Sequence, residues 1–155
     1  MSEGRSGRGW SARTEARLRA AGWYPGRRVD VGPWVAWLRE RGGFVPHPAA
    51  RAFLREFGGL ASPYAGPGRN MARSEFRFDP AVAEYDDEIF SCFSRGVSGR
   101  LYPLGGTDRG NRYLAMDEAG AVFSLMDSNT VLGRTAEEAL DNLCEGVHRY
   151  PVWWD

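Results

Sequence analysis

Thirteen consecutive letters, PAARAFLREFGGL at residues 48–60, constrain this chain more than any other stretch, because they hold a helix's start, its buried face and its stop. Ala50, Phe53, Leu54 and Phe57 recur at i, i+3, i+4 and i+7 and so share one face, while Arg51, Arg55 and Glu56 turn elsewhere. Pro48 suits the first turn, where a missing N–H costs nothing. Gly58-Gly59 can supply the left-handed residue that ends a helix, and with Gly59 in that place Leu60 folds back towards Leu54. A helix this short is marginal alone. Its two phenylalanines and leucine therefore require a sheet or a helix pair to receive them.

Two more helices are expected before it. One runs from Ser11 to Gly22, with Trp23 folding back onto Leu18; another is capped by Asp30, carries Val31, Trp34, Val35 and Leu38 on one face, and stops at Gly42-Gly43. Residues 61–73 contain two prolines and two glycines without an apolar period and read as a loop. Phe76 and Phe78 then alternate with charged neighbours, the period-2 mark of a half-buried strand over 75–79. Asp79-Pro80 reads as cap and first residue of a helix whose shared face is Val82, Tyr85, Ile89 and Phe93, ending at Gly96.

A short strand over 101–104 and a polar turn over 107–111 lead to the clearest hairpin, 113–116 and 121–126 around Asp117-Glu118-Ala119-Gly120, with Gly120 left-handed. After a loop over 128–134, Thr135 and Glu138 form a Thr-x-x-Glu capping box for a last helix with Ala136, Ala139, Leu140 and Leu143 on one face, ended by Gly146. The order is helices, a strand, a helix, a run of antiparallel strands and a helix. That favours α+β over the strict alternation of a doubly wound fold. With 155 residues and 43% apolar content, a single domain over 10–155 is expected, preceded by a disordered tail over 1–9.

Charge is balanced overall but segregated: residues 1–55 hold 11 arginines against 4 acids, and the remainder 9 against 16. There is no lysine, and no stretch resembles a signal peptide or a membrane span, so a cytosolic protein is expected. Arg13, Arg17, Arg19, Arg27 and Arg28 with Trp10 and Trp23 suggest a nucleic-acid surface, but zero net charge weighs against one. Cys92 and Cys144 have no metal-ligand spacing and read as buried thiols. Neither His47 nor His148 sits at ligand spacing, and no GxSxG, HExxH, P-loop or strand-linked GxGxxG occurs. A Cys92–His148 hydrolase pair is weakened by the burial expected of Cys92. No catalytic residue, cofactor or metal is therefore assigned.

The chain resembles a known family in six motifs kept in order. They are Gly22-Trp23-x-Pro25-Gly26-Arg27-x-Val29-Asp30, Ala50-x-x-Phe53-Leu54-x-Glu56-Phe57-Gly58-Gly59-Leu60, Phe76-x-Phe78-Asp79-Pro80, Tyr102-Pro103-Leu104-Gly105, Met116-Asp117-x-x-Gly120-x-Val122, and Leu132-Gly133-x-Thr135-x-Glu137-Glu138-Ala139-Leu140. Together they span about residues 22–146 and resemble the third subgroup of the SUKH superfamily. The resemblance implies an α+β domain that acts as an immunity protein of bacterial polymorphic toxin systems. Such a domain binds the toxic domain of a cognate effector, commonly a nuclease or nucleic-acid deaminase, and blocks it without catalysis. A general interaction scaffold of the same fold is the alternative. The matched positions are fold positions and carry over no binding site.

A partner surface is instead placed on the acidic helix face Glu84, Asp86, Asp87 and Glu88, with Tyr85 as aromatic anchor, because a nucleic-acid-acting toxin presents a basic cleft. A merely solvated helix face would have the same composition. Trp153 and Trp154 in the aromatic tail compete as anchors.

Overall fold

The three N-terminal helices form where their end signals place them. In the computed structural model, which describes residues 7–93 and 97–147, α1 (Ala12–Ala20) begins at Ser11, whose hydroxyl accepts the Thr14 N–H. Its far end is closed by the Trp23 N–H, which donates to the Leu18 carbonyl at 2.9 Å. Asp30 serves α2 (Gly32–Gly42) from one residue further out than expected. Its carboxylate accepts the Gly32 N–H at 2.9 Å, and Val31 stands at the cap position.

α3 (Pro48–Phe57) buries Ala50, Phe53, Leu54 and Phe57, as its stripe requires. Each large side chain so buried contributes about 1.5–3 kcal/mol. Its cap is His47: Nδ1 accepts the Ala50 N–H at 3.2 Å, while Nε2 donates to the Met116 carbonyl at 3.0 Å and ties the helix to the sheet.

That sheet has six antiparallel strands paired in chain order: β1 (Ala61–Ser62), β2 (Phe76–Arg77), β3 (Tyr102–Thr107), β4 (Arg112–Met116), β5 (Val122–Leu125) and β6 (Asn129–Gly133). Three of these differ from expectation. The 61–73 segment is not all loop, since β1 pairs with β2; β3 runs on through Gly105-Gly106 to Thr107; and 129–133, expected as loop, is the edge strand β6. β3 accommodates Pro103 through a register shift between Pro103 and Gly105. No larger residue fits at 105, because a Cβ there would lie 1.8 Å from the Arg77 carbonyl oxygen. The 117–120 hairpin forms as expected, with Gly120 at φ 94°.

The helix expected from Pro80 onward breaks in two. Pro80–Ala83 is a 3-10 turn, started by Asp79, whose carboxylate accepts the Ala81 N–H at 3.1 Å, and α4 (Asp87–Cys92) begins afresh after Tyr85. The cause is a tertiary contact. The Tyr85 N–H donates to the Arg41 carbonyl of α2 at 3.0 Å, and Tyr85 takes φ 71° to do so. The face Val82-Tyr85-Ile89-Phe93 is therefore not one buried stripe: Val82 and Tyr85 are exposed, and Pro80, Ala83 and Phe90 are the buried residues. The end expected at Gly96 lies outside the described residues. Cys92, expected to be buried, is exposed on α4's last turn; only Cys144 is buried.

α5 (Ala136–Glu145) carries its capping residue as expected, with the Thr135 hydroxyl accepting the Glu138 N–H at 3.1 Å. Its other end is capped by the 61–73 segment, where the N–H groups of Arg69, Asn70 and Met71 donate to the Glu145 and Gly146 carbonyls. The helices lie on both faces of the sheet. Phe53 meets Phe78 edge-on at 5.1 Å on one side, and Phe90 of α4 meets Tyr113 at 5.5 Å on the other. The result is an α+β fold.

The segregated charges meet in the seam between α1 and α5. Asp141 accepts from the Ser11 N–H at 2.9 Å and the Thr14 hydroxyl at 2.7 Å, and Glu145 accepts from the Ser11 hydroxyl and pairs with Arg13 at 3.5 Å. Residues 1–6 of the expected tail lie outside the described residues. Arg8, from the same stretch, forks onto Glu56 at 2.7 and 3.1 Å, reaches Glu137 at 2.8 Å, and stacks over Trp10.

Candidate partner-binding surface

The break between the 3-10 turn and α4 builds the most exposed aromatic surface among the described residues. Tyr85 is 68% exposed at its crest. Beside it, Trp37 of α2 is 42% exposed, because it falls off the stripe of Val31, Trp34, Val35 and Leu38 that faces the core. The Arg41 guanidinium lies 3.3 Å over the Trp37 ring. Glu84 accepts the Trp37 indole N–H and stands 3.8 Å from Arg41 Nε, so a carboxylate fixes both groups in place. A left-handed backbone is costly for a bulky residue and persists only where its surroundings hold it. Here the hydrogen bond to Arg41 holds it, and the ring is aimed at solvent rather than at the core.

The four acids of this segment divide into two pairs. Glu84 is engaged as described. Asp86 accepts the Tyr113 hydroxyl, whose pKa is pushed up to about 12 by burial and then by this hydrogen bond, so the phenol stays a donor. Among the described residues, Asp87 and Glu88 have no hydrogen-bonded or ionic side-chain partner, and Glu88 is exposed. Thus the expected residues 84–88 do come together on one surface, but only Asp87 and Glu88 hold charge in reserve. Trp153 and Trp154 lie outside the described residues. Trp37 and Arg41 were missed by the sequence reading; an aromatic lying off a helix's apolar stripe is the signal that marks Trp37.

A cleft of about 480 Å³ opens next to this surface between the end of α2 and α4. Phe44, Val45, Phe90 and Leu101 form its apolar walls, and Asp87 and Arg100 are its charged residues.

The other candidates are used by the fold. Arg17 is buried, donating to Ser62 at 2.8 Å and to the carbonyls of Pro63, Ser74 and Leu143, and burial pulls its pKa down. Trp10 and Trp23 are core residues, Arg13 and Arg19 pair with Glu145 and Glu15, and Arg27 donates to the Glu56 carbonyl at 2.6 Å. Of the arginine and tryptophan set of the first third, Trp10, Trp23 and Arg17 are therefore internal and Arg27 is half-buried, while Arg13, Arg19 and Arg28 stay exposed. His47 is a buried cap and tie, and burial pushes the Cys144 thiol up to about 12. His148 lies outside the described residues, and among those described no base is hydrogen-bonded to Cys92. Nor do they contain a group of three or more His, Cys, Asp or Glu able to hold a metal ion, or a helix long and apolar enough to cross a membrane.

Against known proteins, a family model described as SUKH-3 immunity protein matches residues 10–146. No curated protein and no solved structure matches the chain.

Proposed function

The chain belongs to the SUKH-3 immunity protein family, and from that we propose that it binds the toxic domain of one cognate effector in the cytoplasm and neutralises it by occlusion, without catalysis or cofactor. The target is a nuclease or nucleic-acid deaminase domain. The carrying observation is the exposed pair Trp37 and Tyr85, braced by Arg41 and Glu84 and edged by Asp87 and Glu88, which have no side-chain partner among the described residues. Tryptophan, tyrosine and arginine dominate the energetics of protein interfaces, and here Trp37 and Arg41 are already held in place by each other and Glu84, and the Tyr85 backbone by Arg41. A domain that acts on nucleic acid must offer a basic cleft to phosphates, and two free carboxylates beside aromatic anchors complement such a cleft.

A scaffold role on the same fold differs in having no toxin. The hydrolase reading pairs Cys92 with His148, which lies outside the described residues, and differs in that Cys92→Ser would abolish activity. The tail anchors Trp153 and Trp154 remain rivals to Tyr85 for the interface. The test is co-expression with the product of the adjacent gene. Rescue of growth and recovery of a complex support immunity, while unrelieved toxicity with no complex overturns it. Deleting residues 153–155 with retention of rescue favours the Trp37–Tyr85 surface over the tail.

A further inference from the structure

We propose that the cleft between the end of α2 and α4 receives one arginine side chain projecting from the partner. The proposal rests on the immunity reading for the partner's identity, but its chemistry is local. The cleft has about 480 Å³ of space, enough for a long side chain, and its apolar lining is the exposed Val45 with the buried Phe44, Phe90 and Leu101 behind it. Of the two charged groups lining it, Arg100 is paired with Glu118. Its backbone N–H donates to Glu118 at 2.7 Å and its Nε lies 3.6 Å from the same carboxylate. Asp87 has no hydrogen-bonded or ionic side-chain partner among the described residues. An apolar slot bearing uncompensated negative charge fits a cation on an aliphatic stem.

Arginine fits better than lysine for a reason of shape: it meets a carboxylate with two parallel N–H groups, whereas an ammonium offers a point charge. The cleft adjoins the Trp37–Tyr85 surface: a Cβ on Gly42, which lines it, would stand 3.7 Å from the Tyr85 backbone nitrogen. One bound side chain would therefore fix the register of a partner seated on those rings.

The test needs no toxin. The ¹⁵N-labelled chain is titrated with N-acetyl-arginine methylamide, with the norleucine and lysine counterparts as controls, and the same titrations are repeated on Asp87→Asn. The expected result is saturable shifts at the Gly43, Phe90 and Leu101 amides with the arginine compound, weakened about fivefold in Asp87→Asn and absent with norleucine. Equal binding by norleucine or lysine, an unchanged response in Asp87→Asn, or no saturable shift at the cleft overturns the proposal. Because no toxin enters this titration, its failure would leave neutralisation untouched. Failed capture of the toxin would equally leave a positive titration standing.

Discussion

Replacing Tyr85 by glycine and by alanine separates backbone strain from ring contacts. Both substitutions remove the same ring, which is 68% exposed and so loses little burial. They differ in what they do at φ 71°. An L-residue in the left-handed region costs about 1–2 kcal/mol, a penalty that glycine escapes. Glycine in turn loses about 0.5–1 kcal/mol more conformational entropy on folding. The glycine variant should therefore be more stable than the alanine variant by about 0.5–1 kcal/mol, the reverse of the order at a position with negative φ. Equilibrium urea unfolding measures this difference directly, and thermal melts should place the glycine variant up to about 4 °C higher. The Arg41 carbonyl keeps its donor in both variants, since the bond is made by the backbone N–H. An alanine variant as stable as the glycine variant, or more so, would refute the reasoning. In the proposed role both should bind toxin more weakly by about 2 kcal/mol, because both lack the anchor.

Phe57 is 1% exposed within the aromatic cluster of Trp10 and Phe53, so Phe57→Ala should cost about 3–5 kcal/mol; an unchanged melting temperature would place the ring outside the core. Glu56 carries a linked acid response. Burial raises its pKa, but the hydrogen bonds from Arg8 and Trp23 outweigh burial and hold it below the ordinary 4.5. A depressed folded pKa means stabilisation that is present above the unfolded value and lost as pH falls through the folded one. Glu56→Gln should accordingly narrow its stability gap from wild type as pH drops below about 4.5, and a gap constant with pH would show that the carboxylate is not preferentially ionised in the fold. Asp87→Arg combined with Glu88→Arg should slow toxin association and flatten its salt dependence, with the melting temperature lowered by a few degrees as both acids sit in the first turn of α4, whereas wild-type association at low salt would remove these acids from the interface.

What could be read in the sequence was local. α3, the capped start of α5 and the 117–120 hairpin are each specified within about a dozen residues by period, cap and turn chemistry, and each formed where those signals lie. β1 and β6 were hidden because two and five residues without clear alternation become strands only when β2 and β5 pair with them. The break at residues 84–86 was hidden for a similar reason. Nothing in that stretch forbids a helix, and a carbonyl 44 positions earlier, on Arg41, claims the Tyr85 N–H. The same break decides the candidate surface. It exposes Tyr85, turns Asp86 towards Tyr113, and leaves Asp87 and Glu88 without a side-chain partner among the described residues, a division of four neighbouring acids that composition alone does not contain. Burial of Trp10, Trp23 and Arg17 likewise rests on long-range partners, so a set that reads as a basic aromatic patch loses both its rings and one arginine to the interior while Arg13, Arg19 and Arg28 stay exposed.

The most direct test of the account is a titration of the toxic domain's activity against this chain at concentrations far above their dissociation constant. Neutralisation by occlusion predicts residual activity that falls linearly to zero at one equivalent and returns when the complex is dissociated. Permanent inactivation of the toxin by a small fraction of an equivalent would contradict it, because only a catalyst acts that way, and undiminished activity at excess would contradict it outright.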